Sequence, residues 1–258
     1  MTPAAVICDF DDTLAPDSTS AFLAHIGIDV ERFWGHVVKQ RMDDGWDPAM
    51  AYLYEFIHAL RERSVTRSDL SAFGRTLELF PGVHELFSSI RKEHPWMEFY
   101  VISSGIGDIL RACTLAPVFT SIFTSELFYE NDIPVYPKNA ISFTDKTRYL
   151  FQISKGMHGP EYRTKPFEVN RRIDSADARI PFKRMLYIGD GYTDVPCFAL
   201  LMKNGGQALA VYDAKSDEKR MRGLGFVNDR RVIDALSCDY SVGGKLNAAL
   251  AKFVEMIQ

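Results

Sequence analysis

The chain has 258 residues, 47% of them hydrophobic, 12% aromatic and 25% charged, the balance of a globular protein long enough to bury its own core. Thirty Lys and Arg against 34 Asp and Glu leave a net charge of −4, which excludes a nucleic-acid binder held by bulk charge. The longest apolar runs fall far short of the roughly 20 residues that cross a bilayer, and no basic region followed by a long apolar stretch opens the chain, so neither a membrane span nor a secretory signal is expected.

Ala5–Cys8 is the first short apolar run, and Asp9 follows it directly. Residues 15–80 then hold no convincing strand. Asp47-Pro48 reads as a helix N-cap with proline at the first helical position, and Met50, Leu53, Tyr54, Ile57 and Leu60 recur at helical spacing behind it. Thr66 and Asp69 form a capping box for a further helix. Leu79-Phe80-Pro81-Gly82 leads back to alternation. Phe99–Ile102 is the second apolar run, followed by Ser103-Ser104-Gly105 and a helix from about Asp108. Ser121–Thr124 is a weaker third. Lys146 opens a helical pattern with Tyr149, Leu150 and Ile153.

The stretch from about Gly156 to Arg179 lacks periodicity and carries Arg163, Lys165, Arg171, Arg172 and Arg179; it reads as a surface excursion or as a basic flap beside a site. Met185–Ile188, followed by Gly189-Asp190-Gly191, is the fourth apolar run and Ala208–Tyr212 the fifth. Lys215–Arg222, with Lys219 and Arg220 among Asp217 and Glu218, reads as a solvated helix face. Uninterrupted apolar strands are those buried on both faces of a parallel sheet. With helices between them they give an α/β doubly wound core, whose ligands bind at the carboxyl ends of the strands. The four cysteines, Cys8, Cys113, Cys197 and Cys238, are scattered without a CxxC pair. That argues against a structural zinc site and for reduced thiols in the cytoplasm.

The polar strand ends carry the chemistry. Asp9 and Asp11 point the same way if the chain stays extended, and two like charges so close resist joint ionisation unless a cation joins them or one takes a proton. Mg²⁺, a hard ion with oxygen ligands, suits such a pair beside phosphate. Taken alone, the motif is equally an Asp-rich turn capping a helix. Gly189-Asp190-Gly191-Tyr192-Thr193-Asp194 supplies a second acidic strand end on the same sheet, which makes a chance pairing of two capping turns less economical. Ser103, Ser104 and Gly105 offer hydroxyls and amides to phosphate oxygens, or simply a serine cap. Lys146 can offset phosphoryl charge, with Lys138 and Lys155 as rivals.

Asp9-x-Asp11-x-Thr13, Ser103, Lys146 and Gly189-Asp190-x-x-x-Asp194, in that order, resemble the four motifs of the haloacid dehalogenase superfamily in its phosphatase branch. The resemblance implies a Rossmann-like catalytic core of residues 1–14 and 81–258, with residues 15–80 an inserted α-helical cap as in phosphoserine phosphatase-like members. It implies Asp9 as the nucleophile of an aspartyl-phosphate intermediate and Asp11 as general acid, then base. Mg²⁺ would be held by the Asp9 carboxylate, the Asp11 backbone carbonyl and Asp190, supported by Asp194. Phosphate would be bound by Ser103, Ser104, Gly105 and Lys146, with Thr13 stabilising the loop. Dehalogenases of this fold lack an aspartate at the position of Asp11 and ion-pumping ATPases carry threonine there, so Asp11 favours a phosphatase or a phosphotransferase or phosphomutase.

The implied substrate is a small phosphomonoester under a closing cap. Phosphoserine phosphatases carry a substrate-binding glutamate shortly after the first motif. Here that position holds Ser18, beside Asp17, a departure from the phosphoserine pattern. Trp34, Arg41, Trp46, Tyr52 and Tyr54 are the cap's candidate specificity residues, although aromatics at helical spacing are more often core. His158, in a loop, belongs to no ligand or triad pattern. A non-catalytic binding protein on the same fold would have no use for the clustered carboxylates.

Overall fold

The structure, a computed structural model, describes residues 2–159, 164–174 and 177–258. Its centre is a seven-stranded sheet in the order β4-β3-β2-β1-β5-β6-β7. The strands are β1 (Ala4–Cys8), β2 (Met97–Ile106), β3 (Ser121–Glu130), β4 (Ile133–Asn139), β5 (Met185–Gly189), β6 (Gln207–Tyr212) and β7 (Asp234–Ser237). β1 and β5 are adjacent and every residue of each is buried, which is why they read as unbroken apolar runs. Successive β1 residues alternate between two cores. Ala4, Val6 and Cys8 face one, and Ala5 and Ile7 face the other.

Two strands fall outside the sequence expectation. β7 is a short parallel edge strand beside β6. β4 pairs antiparallel with β3, so the expected parallel sheet is mixed. The hairpin turns through Asn131 and Asp132, both at positive φ (49° and 66°), the backbone that a two-residue type I′ connection requires. Pro134 and Pro137 sit in β4, on the outer edge of the sheet, where a missing backbone N–H costs no ladder bond.

The helices between β1 and β2 are α1 (Ser18–His25), α2 (Val30–Arg32), α3 (Lys39–Asp43), α4 (Pro48–Glu62), α5 (Arg67–Gly74) and α6 (Val83–Glu93), with a π-helical stretch Phe33–Val38 joining α2 to α3. The expected caps are in place. Asp47 accepts from the amides of Ala49 and Met50, and Thr66 and Asp69 close a reciprocal capping box. Leu53, Phe56, Ile57 and Leu60 form the buried stripe of α4; Phe22 of α1 meets Phe56 (ring centroids 6.1 Å apart) and Phe73 of α5 (5.1 Å). These three helices therefore share a core of their own, continuous with one face of the sheet. α6 and α11 (Lys245–Ile257) cover that face through Phe87, Leu250 and Phe253, while α8 (Lys146–Lys155), α9 (Val195–Lys203) and α10 (Asp217–Asn228) cover the other through Leu150, Phe198 and Phe226. α7 is the short turn Gly107–Leu110 after β2.

The described part of the 156–179 excursion packs along α8, where Lys155 donates to the carbonyls of Val169 and Arg171. Arg171 and Arg172 line a groove with Thr2, Phe182 and Arg184, at the end of the sheet where β1 and β5 begin, opposite their carboxyl ends. The flap reading is corrected to that extent; Arg163 lies outside the described residues. Among the described residues no helix is long and apolar enough to cross a membrane.

Candidate active site

The sheet reverses its direction of growth at β1: β2 and β3 extend one way, β5 to β7 the other. A crevice opens at the carboxyl ends on such a switch point, and the acidic strand ends meet there. The cleft, about 210 Å³, is lined by Asp9, Asp11, Asp12, Asp17, Ser103, Ser104, Gly105 and Asp190, with Thr19, Trp34, Tyr52 and Thr193.

Asp9 leaves β1 with its amide still bonded to the Ile188 carbonyl of β5 (2.9 Å). Its Oδ1 accepts from the Phe10 amide (2.7 Å) and its Oδ2 from Lys146 Nζ (2.7 Å). The same Nζ donates to Asp194 Oδ1, also at 2.7 Å, and Asp194 further accepts from Tyr187 Oη (2.8 Å) and the Gly191 amide (3.1 Å). Lys146 stands at the first position of α8 and is fully buried. Its rivals lie elsewhere: Lys138 is exposed and near Glu126, and Lys155 is bonded to the excursion.

Electrostatics follow from this burial. Desolvation, with Asp194 adding and Lys146 opposing, pushes Asp9 up to about 6. Burial and the neighbouring Asp17 push Asp11 up to about 8. Asp190 is raised well above the carboxylate range by burial, Asp194 and Asp9, with Arg222 pulling the other way. Burial alone would lower Lys146; Asp194 and Asp9 reverse that and raise it.

Asp9, Asp190 and Asp194 each offer a carboxylate oxygen within 4.8 Å of the others. Three hard oxygen donors of like charge, shielded from solvent, are what a divalent cation such as Mg²⁺ fits. Asp11 adds no side-chain oxygen to this triad. Its Oδ1 instead accepts from the Ser18 amide (2.8 Å). Gly105 comes so close that a Cβ there would lie 2.6 Å from Asp11 Oδ2 and 3.1 Å from Ser103 Oγ, so glycine lets the end of β2 meet the loop after β1 with Asp11 undisplaced. Ser103 is buried and its Oγ accepts from the Gly105 amide (2.9 Å). Ser104 lines the cleft, but its hydroxyl donates to the Ile141 carbonyl (2.8 Å), away from the carboxylates. Thr13 is buried with its Oγ1 unpartnered among the described residues, and its carbonyl accepts from Tyr240 Oη (2.9 Å).

Of the five residues that the sequence offers for specificity, Trp34 and Tyr52 reach the cleft. Tyr52 Oη donates to the Ser104 carbonyl, pinning α4 to the end of β2 that carries Ser103. Arg41, Trp46 and Tyr54 stack on one another instead, with Arg41 paired to Glu55. Asp17 caps α1, accepting from the Thr19 and Ser20 amides. His158 packs against Tyr100. Two residues read as solvated reach the acidic loops: Lys219 pairs with Asp12 (2.7 Å) and Arg222 with Asp190 (2.7 Å). Their spacing of three was a legible sign that they share a helix face, but nothing in the sequence says which way that face turns.

A family model described as "Putative Phosphatase" matches residues 4–132. A protein of Borreliella burgdorferi, described as uncharacterized, is 29% identical over 94% of this chain and 93% of its own. Among solved structures, a haloacid dehalogenase family hydrolase of Salmonella enterica serovar Typhi aligns with a TM-score of 0.60 at 14% identity, over 91% of this chain and 68% of that one. A phospho-aspartyl intermediate analogue of phosphoserine phosphatase aligns with a TM-score of 0.59 at 13% identity, over 98% and 99%. These structural likenesses carry the fold: a Rossmann-like α/β core with flanking helices.

Proposed function

The chain belongs to the "Putative Phosphatase" family, phosphoric monoester hydrolases of the haloacid dehalogenase type, and on that premise we propose that it is a Mg²⁺-dependent phosphatase. It hydrolyses a small phosphomonoester through an aspartyl-phosphate on Asp9, in a core of residues 1–14 and 81–258 capped by residues 15–80. The observation that carries the reading is the meeting of Asp9, Asp190 and Asp194 with the buried Lys146 at one strand-end crevice.

Asp9 is the nucleophile. The Phe10 amide and Lys146 Nζ fix its two oxygens, and a value of about 6 leaves it ionised at neutral pH. As the Asp9 oxygen bonds to phosphorus, the ester P–O bond breaks, and Asp11 gives its proton to the leaving oxygen. A value of about 8 keeps that proton on Asp11 beforehand. Asp11, now ionised, takes a proton from water; the water oxygen attacks phosphorus, and orthophosphate leaves Asp9. The Ser103 hydroxyl and Lys146 hold the transferring oxygens, with the Ser104 and Gly105 backbone beside them. Asp9, Asp190 and Asp194 would hold Mg²⁺, which when bound supplies positive charge against the phosphoryl oxygens.

A cleft of about 210 Å³ lined by Trp34 and Tyr52 supports a small substrate. The four unpaired, buried cysteines support a reducing compartment, the cytoplasm. The test is hydrolysis of an aryl phosphate at neutral pH with Mg²⁺, with chelator, and with Asp9→Asn. Release that needs Mg²⁺ and is lost in the variant is expected. Substantial Mg²⁺-dependent release by Asp9→Asn overturns the assignment of the nucleophile.

A further inference from the structure

We infer that α10 carries positioning residues for the acidic loops, and that Arg222 sets Asp190 for the cation that this site holds. The inference rests on the metal reading above and goes beyond it, since Arg222 belongs to none of the four motifs. Asp190 lies between Gly189 and Gly191, so the residues flanking it do little to restrict the backbone. Arg222 adds to the restraint that the β5 ladder and the Gly191–Asp194 bond provide. Its Nη2 donates to Asp190 Oδ2 (2.7 Å) and its Nε to the Asp190 backbone carbonyl (3.2 Å). One planar group therefore holds both the side chain and the peptide of the same residue, a geometry that the point charge of a lysine cannot reproduce. The guanidinium also lies 6.0 Å from the centroid of the Tyr192 ring, in the same loop.

One turn earlier on the same helix face, Lys219 meets Asp12. Asp12 sits at a positive φ of 56° in the loop after β1, and its carbonyl accepts from Cys238 Sγ (3.3 Å). Thus α10 grips the loops after β1 and β5 together. The helix is itself closely seated: a Cβ at Gly223 would stand 3.2 Å from the Cβ of Ala235 in β7. An exposed ion pair would carry little, but the Arg222 and Asp190 side chains are only 20% and 13% exposed, and the second bond to the main chain makes the contact directional.

The test is calorimetric titration of Mg²⁺ into the intact protein without substrate, for the wild type, Arg222→Met, Arg222→Lys and Asp190→Ala, each checked for native circular dichroism. Partners that orient a metal ligand are worth about 10–100-fold in metal affinity. Arg222→Met is therefore expected to weaken Mg²⁺ binding at least about tenfold, with Arg222→Lys in between and Asp190→Ala without binding. Wild-type affinity, or tighter binding, in Arg222→Met overturns the inference while leaving the metal reading intact; a fall in melting temperature alone would mark a structural contact. If Arg222→Met fails to fold, Arg222→Lys decides, because it keeps the charge and loses the fork; affinity equal to the wild type overturns the inference. Failure of the wild type to bind Mg²⁺ overturns both readings.

Discussion

Replacing Lys146 by methionine keeps an unbranched side chain, one atom shorter, and removes its charge. Asp9 and Asp194, both 2.7 Å from Nζ in the parent protein, are then left facing each other without a counter-charge. Their side chains are 9% and 0% exposed and that of Lys146 is 1% exposed. This places the change among broken buried pairs, which cost about 3–5 kcal/mol. Exposed pairs such as Lys39 with Asp43, both more than 60% exposed, are worth about 0–1 kcal/mol. At about 2–4 °C per kcal/mol for a chain near this size, Lys146→Met should lower the melting temperature by roughly 6–20 °C. The assay is thermal unfolding followed by circular dichroism in chelator, with Lys39→Met as the control. Mg²⁺ should then raise the melting temperature of Lys146→Met more than that of the parent, because the variant has more uncompensated negative charge to neutralise. A shift in chelator no larger than that of Lys39→Met would refute the reasoning, since the lysine would not then be the counter-charge that its burial makes it.

Tyr52→Phe removes the hydroxyl that joins α4 to the Ser104 carbonyl. Steady-state kinetics should show KM rising several-fold with a smaller fall in kcat; a fall confined to kcat would contradict a role in seating the cap. Gly105→Ala puts a methyl 2.6 Å from Asp11 Oδ2. Displacing the proposed acid should cost kcat at least about tenfold with the fold unchanged; near-normal kcat would mean that Asp11 is not the acid. Glu98 gives a test in acid. Burial alone would raise its carboxyl, but Arg179 and Tyr100 hold it below its ordinary 4.5. A group depressed by folding contributes stability that is present above that ordinary value and lost as pH falls through the folded one. Arg179→Met should therefore lie below the parent in melting temperature at pH near 7, and the gap should close as pH drops below about 4; a gap independent of pH would argue against the pair.

The parts of the fold visible in the sequence are those where burial on both faces leaves one solution. β1 and β5 must be apolar throughout, so Asp9 and Asp190 at their ends stand out as a change of character within one residue. The helices after β1 declared themselves by Asp47-Pro48 and by Thr66 with Asp69, because caps are local chemistry. β4 stayed hidden because Pro134 and Pro137 read as breakers, and only its place at the sheet edge makes them tolerable. β7 is four residues long and begins on an exposed Asp234, too short for a pattern. Lys219 and Arg222 were visible as charges but not as partners, because the facing of α10 is decided by the packing of Gly223 and Phe226 on the sheet. Ser104 looked like Ser103 in sequence; only the nearness of the Ile141 carbonyl separates their roles.

The contacts around Thr13 also set an order of events in time. The loop that presents Asp9 is tied by Tyr240 Oη to the Thr13 carbonyl and by Cys238 Sγ to the Asp12 carbonyl, both from residues just beyond β7. β1 itself lies between β2 and β5, both far downstream. A ribosome making this chain therefore releases the proposed nucleophile early and its supports much later, and such long-range closures are slow to form. The helices α1, α4 and α5 can gather around Phe22 and Phe56 while β1 still waits for a neighbour. Until β5 has emerged, β1 keeps an open apolar edge of the kind that chaperones hold and that stray edges capture. Catalytic competence thus comes as one of the final steps of folding, and a nascent chain carrying every motif but lacking Tyr240 would still be without a settled Asp9 loop.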